Sequence, residues 1–206
     1  MRRIDDLTLY EPGDLTASPD HADLRRIVTW AGEFLNASNE RLGRPGPVCP
    51  YTRASMDHHG FLLARAGGAD VPAIESTVDR YRRWFLELLD RTDGAWAHLL
   101  TILVVLPGLD RTDPAPLDAL QRRLKDAFVR EGLMVGQFHP RCAQPGLWNE
   151  DFRPLRAPVP LLAIRRMVAS DLPFLLDSAG HLSAYLRRFA PGIPGHVRRL
   201  LVAKVT

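Results

Sequence analysis

The chain has 206 residues, 46% of them hydrophobic, with 27 Lys and Arg against 24 Asp and Glu and a formal charge of +3. That is enough apolar material for one sizeable core, and one domain is the expectation. Arginines are scattered rather than gathered into a dense basic block, so nucleic acid is not an expected partner. No apolar run approaches a membrane span, and two cysteines, Cys49 and Cys142, are too few for a disulfide framework, which leads to the expectation of a cytoplasmic protein with reduced thiols.

Residues 1 to 17 are polar, with a Pro12-Gly13 turn, and read as an extended arm preceding a domain over 18–206. In "SPDHADLRRIVTWAGEFL", Ser18 can cap a helix and Pro19 suits its first position. Leu24, Ile27, Val28, Ala31 and Leu35 form the apolar stripe. "GRPGPVCPYT" breaks regular structure, and "FLLARA" (61–66) reads as a strand.

A second helix runs from Pro72 to Leu89, with Ile74, Val78, Tyr81, Phe85 and Leu88 at the 3.6-residue period. "LLTILVVL" (99–106) is continuously apolar, the pattern of a strand covered on both faces. A third helix spans Pro116 to Glu131, with Gly132 as terminator. "LMVGQF" (133–138) and "PLLAIRRMV" (160–168) are strands, and the tail from Asp171 reads as two short helices separated by "APGIPG". The alternation predicts an α+β domain with a mixed sheet of about four to five strands and helices packed on it. Leu103, Val105, Phe85 and Leu124 are the expected core.

The sequence has no Gly-x-Gly-x-x-Gly, no Walker-type loop and no Gly-x-Ser-x-Gly elbow. His58 and His59 are adjacent before a strand, where neighbours point to opposite faces, so a shared metal is not expected. His21, His98, His181 and His196 lack partners at ligand spacing and read as structural or solvated. Two stretches stay open. In "GPVCPYTR" (46–53), Cys49 is either a small buried hydrophobe or a thiolate activated by a cation such as Arg53. In "GQFHPRCAQPGLWNEDFRPLRAPVP" (136–160), His139 follows a strand and precedes Pro140, and is either a satisfied structural histidine or a ligand.

The pairing of "GPVCPYTRASMDHHGFLLAR" with "GQFHPRCAQPGLWNEDFRPLRAPVPLLAIRRMV" resembles an actinobacterial domain family of unknown function whose members occur with natural-product genes, over roughly residues 20–190. More distantly the layout is similar to the YqcI/YcgG family of bacterial haem proteins. Cys49, His139 and Arg156 match its cysteine segment, loop histidine and downstream arginine. The context "QFHPRC" and the insertion "QPGLWNEDF" depart from that family.

The resemblance implies haem b held by His139 as the metal ligand. Phe138, Trp148, Phe152 and Leu162 would line the slot, and Arg141, Arg153 and Arg156 would meet the propionates. Arg53 and His59 are the candidate distal, catalytic contacts. The function implied is a haem-dependent tailoring oxidoreductase of secondary metabolism. Its substrate would be a small, nitrogen-containing molecule, and a homodimer is left open. The competing expectation is a non-catalytic binding or partner protein of a biosynthetic pathway. A cofactor-free enzyme with Cys49 as nucleophile is a third.

Overall fold

A computed structural model describes residues 1–204. The chain opens with two short strands, β1 (Arg2–Ile4) and β2 (Leu7–Leu9), paired antiparallel around a turn in which Asp5 takes φ 49°. The segment expected to be an extended arm is thus a hairpin. Its alternation explains why: Leu7 and Leu9 point inward on one face, and Leu9 is 0% exposed. Tyr10 then exchanges two 2.8 Å backbone hydrogen bonds with Leu63, which ties the hairpin to the main sheet.

Helix α1 (Ala22–Trp30) is preceded by a 3-10 turn whose Asp20 N–H donates to the Ser18 hydroxyl. It runs on into a π turn over Ala31–Leu35. Leu24, Ile27, Ala31 and Leu35 are buried, as the stripe predicts, and Val28 is half-buried. A short helix, α2 (Thr52–Asp57), follows the irregular stretch around Cys49. Then come β3 (Phe61–Arg65), α3 (Val71–Asp90), β4 (Thr101–Val105) and α4 (Ala115–Arg130). Asp70 caps α3 by accepting from Ala73 N–H at 2.9 Å. Gly132, at φ 76°, ends the α4 segment in the left-handed conformation that glycine adopts freely. Strands β5 (Leu133–Phe138) and β6 (Leu161–Arg166) and helices α5 (Ala179–Phe189) and α6 (Gly195–Val202) complete the chain.

The main sheet has the order β3-β4-β6-β5. β3 and β4 are parallel, and β6 is antiparallel to both β4 and β5, so β3, β4 and β5 share one direction. This is the mixed α+β sheet expected from the element order. The two crossovers, through α3 and α4, advance in the same direction across the sheet. A constant crossover hand therefore lays both helices on one face. Leu62, Ile102, Val104, Leu162 and Ile164 meet them there. The opposite face, with Phe61, Leu63, Leu103, Val105 and Leu161, is covered by α1 and by the connection 139–160. A smaller cluster of Val129, Met134, Met167, Leu182 and Tyr185 lies under α5 and α6. Each Leu or Ile so buried contributes roughly 1.5–3 kcal/mol by removal from water. Among the described residues, no helix is long and apolar enough to cross a membrane.

One consequence places the functional groups. The carboxyl ends of β3, β4 and β5, at Arg65, Val105 and Phe138, lie along one edge of the sheet, and their amino ends, at Phe61, Thr101 and Leu133, lie along the other.

Candidate functional site

The connection 139–160 is laced to the segment before α2. The Asn149 side-chain amide donates to the Arg41 carbonyl at 2.8 Å, and the Arg41 guanidinium donates to the Asp151 carbonyl at 3.1 Å. Gly43 lies so close that a Cβ there would sit 2.6 Å from the Trp148 carbonyl oxygen. Phe152, Ala157 and Val159 turn inward to the core, with the Phe152 ring 6.1 Å from that of Phe34. Trp148 turns the other way and is 67% exposed.

His139 is buried at 3% exposure. Its Nε2 lies 3.1 Å from Asp118 Oδ1 in the first turn of α4, and its backbone carbonyl accepts from Cys142 N–H at 3.1 Å. A carboxylate only accepts, so Nε2 carries the proton, and in the neutral ring Nδ1 is a bare acceptor. That Nδ1 is buried without a hydrogen-bond partner. The three arginines of this loop are separately placed. Arg141 is exposed, Arg153 donates to the Glu150 and Phe152 carbonyls, and Arg156 donates to the Cys142 carbonyl at 3.2 Å.

Arg53 lies on α2, and His59 just beyond it with φ 56° and its Nδ1 2.8 Å from Glu11 Oε2. Both precede β3, at the amino edge of the sheet, whereas His139 follows β5 at the carboxyl edge. Cys49 is half-buried, with its N–H on the Leu35 carbonyl at 2.9 Å. It lies within electrostatic reach of Arg165, which pairs in register with Thr101 at the amino edge.

The residues that the haem resemblance implies are therefore not gathered round one slot. Leu162 faces α3 and α4, Phe152 packs on the opposite face of the sheet, and Trp148 faces solvent. The imidazole is enclosed, with Nε2 engaged by Asp118. A macrocycle needs an open axial nitrogen beside an apolar slot, and this arrangement does not fit it. Among the described residues, no group of three or more His, Cys, Asp or Glu side chains could hold a metal ion.

A cleft of about 480 Å³ opens instead at the carboxyl end of β3, between the hairpin, the approach to α1 and helix α3. Its wall is polar. Tyr10, His21, Arg65 and Thr77 line it with two carboxylates, Asp6 and Asp20. His21 Nδ1 accepts from Thr16 N–H at 3.1 Å, so Nε2 carries the ring proton and is left as a donor. The Tyr10 ring meets that imidazole edge-on at 4.9 Å between centroids. Tyr81 closes the floor. Its hydroxyl donates to the Thr8 carbonyl at 3.1 Å, and burial pushes its pKa up to about 12. Asp6 is held below the usual carboxylate range by its hydrogen bonds from Arg80. A second, shallower hollow of about 530 Å³ lies between α1 and Pro158, walled by Trp30 and Phe34 with Arg25 and Arg26 at its rim.

Sequence reasoning missed the first cleft. The signal was present in Arg65, a charge ending an apolar strand, followed by Ala66-Gly67-Gly68 and a capped helix. Such a strand–turn–helix carboxyl end is where open sheets hold ligands. The contribution of the hairpin and of His21 could not be seen without the fold.

No curated protein and no solved structure is matched by this sequence. A family model described as "Domain of unknown function (DUF6875)" matches residues 24–200, a span that contains Arg65, Thr77 and Tyr81 and begins just after Asp20 and His21. The match takes in most of the chain, including every strand of the main sheet, and the chain belongs to the DUF6875 family.

Proposed function

We propose that the protein is a non-catalytic binding protein for a small polar metabolite, seated in the cleft at the carboxyl end of β3. One observation carries the reading. A polar cleft of about 480 Å³ sits at the carboxyl end of a parallel strand, beside the start of the helix that follows it. That volume lies in the range of small-molecule sites, and that place in an α/β layer is where they form. The cleft's own groups favour binding over nucleophilic catalysis. The Ser18 hydroxyl accepts from Asp20 N–H, and the hydroxyl that meets His21 Nδ1, that of Thr16 at 3.1 Å, is not among the residues lining the cleft, so no hydroxyl–imidazole pair faces a ligand there. The loop of His139, on this reading, is a brace that joins β5 to α4 rather than a ligand platform.

The test is native mass spectrometry of gently purified protein, alongside a variant in which Thr77→Trp fills the cleft. A co-purifying or added metabolite that binds the wild type and not the variant supports the reading. Binding that is indifferent to Thr77→Trp sinks it. A Soret band in the purified protein, lost in His139→Ala, would favour the haem oxidoreductase instead.

A further inference from the structure

Two charges in the cleft lack partners. Among the described residues, the Arg65 guanidinium and the Asp20 carboxylate have no side-chain hydrogen bond and no ion pair, although both line the same cleft. The cleft's other carboxylate, Asp6, is already held by Arg80. An unpaired cation and an unpaired anion thus face one space without neutralising each other. The same cleft is lined by Tyr10, Leu24 and His21, whose Nε2 is left as a donor.

Resting on the binding reading above, we propose that the ligand class is an amino-acid-like zwitterion. Its carboxylate would meet Arg65 and its ammonium group Asp20. The argument is one of discrimination. A ligand with only a carboxylate gains Arg65 but is repelled by Asp20, and a simple amine gains Asp20 but is repelled by Arg65. A zwitterion satisfies both. Once one end is bound, the other meets its partner at high effective concentration. Both protein groups are exposed, so each contact alone is screened by water, and the pair together sets the preference. The guanidinium fork suits a carboxylate in two-point contact.

The test uses the full chain at fixed ionic strength. Thermal unfolding is followed with glycine, 4-aminobutanoate and 6-aminohexanoate, and with butanoate and butylamine as singly charged controls. At about ten times its Kd, a binding zwitterion should raise Tm by roughly 3–6 °C. The controls should leave Tm unchanged. Arg65→Gln and Asp20→Asn should each weaken the zwitterion roughly 2- to 5-fold while leaving the unliganded Tm in place, since both side chains are exposed. If butanoate binds as well as 4-aminobutanoate and Asp20→Asn changes nothing, the zwitterion assignment is overturned. Loss of that butanoate binding in Thr77→Trp would then keep the cleft itself as the site. If no zwitterion shifts Tm, the assignment is equally overturned, and the native mass spectrum decides the cleft reading separately.

Discussion

His139 Nε2 lies 3.1 Å from Asp118 Oδ1, joining the end of β5 to the first turn of α4. The two residues are far enough apart in sequence that only the fold brings them together. The bond closes the crossover at the point where the chain leaves the sheet. Because the ring is 3% exposed, removing it leaves a cavity and an unpaired carboxylate. His139→Ala should cost roughly 1–3 kcal/mol of unfolding free energy by denaturant titration. His139→Gln, which retains a donor to Asp118, should cost less. An unchanged midpoint for His139→Ala would show that the ring is not the brace described above.

Gly43 and Trp148 offer a contrast within one contact. Gly43 has φ 79° and no room for a Cβ, which would meet the Trp148 carbonyl at 2.6 Å. The Trp148 ring itself faces water. Gly43→Ala should therefore destabilise by about 1 kcal/mol or more, through backbone strain and displacement of the loop. Trp148→Ala should stay within about 0.5 kcal/mol. Thermal melts of the two variants check this, and a large loss for Trp148→Ala would mean that the indole is packed rather than exposed.

The sheet was legible because its signals are local. "LLTILVVL" is apolar on both faces, and β4 does lie between β3 and β6 with α3 and α4 on one side and α1 on the other. Leu103, Val105, Phe85 and Leu124 are buried as expected. What the sequence hid was pairing across distance. The 1–10 segment looked like an arm because a three-residue strand carries only two inward side chains, Leu7 and Leu9. The loop of His139 offered a histidine, an indole and three arginines in a row, which periodicity cannot sort. The fold sends the imidazole inward, the indole outward and two of the arginines to loop carbonyls. The cleft is assembled from the hairpin, the turn before α1, the end of β3 and α3, and no single stretch contains it.

Leu103 supplies the core prediction. It sits mid-strand in β4, paired with Leu63 and Ala163. Leu103→Ala should cost roughly 2–5 kcal/mol, as large-to-small changes in a packed core do. A loss near zero in a urea titration would place β4 at an accessible edge.

The two thiols should react differently. Cys142 is 1% exposed, and burial pushes its thiol above the usual cysteine range. Cys49 is half-buried. Only the thiolate attacks an alkylating agent, so iodoacetamide on the native protein should label Cys49 first and Cys142 only on unfolding. Peptide mass spectrometry reads the order. Equal labelling of both under native conditions would contradict the closed environment of Cys142.

Tyr81 sets an alkaline limit. It lines the cleft, is 2% exposed, and has its pKa raised by burial from 10.0 to about 12. Unfolding frees it to ionise at its ordinary value. Between pH 10 and pH 12 the unfolded chain therefore binds fewer protons than the folded one, and the sign of the linkage makes unfolding free energy fall as pH rises. Below pH 10 the hydroxyl is protonated in both states and contributes no slope. Two pKa units correspond to about 2–3 kcal/mol lost across that window. Tyr81→Phe removes the ionisable group. It should cost about 1 kcal/mol at neutral pH for the hydroxyl's bond to the Thr8 carbonyl, and should flatten the decline between pH 10 and pH 12. Denaturant midpoints of wild type and variant across pH 8 to 12 give the comparison. Parallel curves for the two proteins would mean that the Tyr81 hydroxyl is already open to water in the folded state.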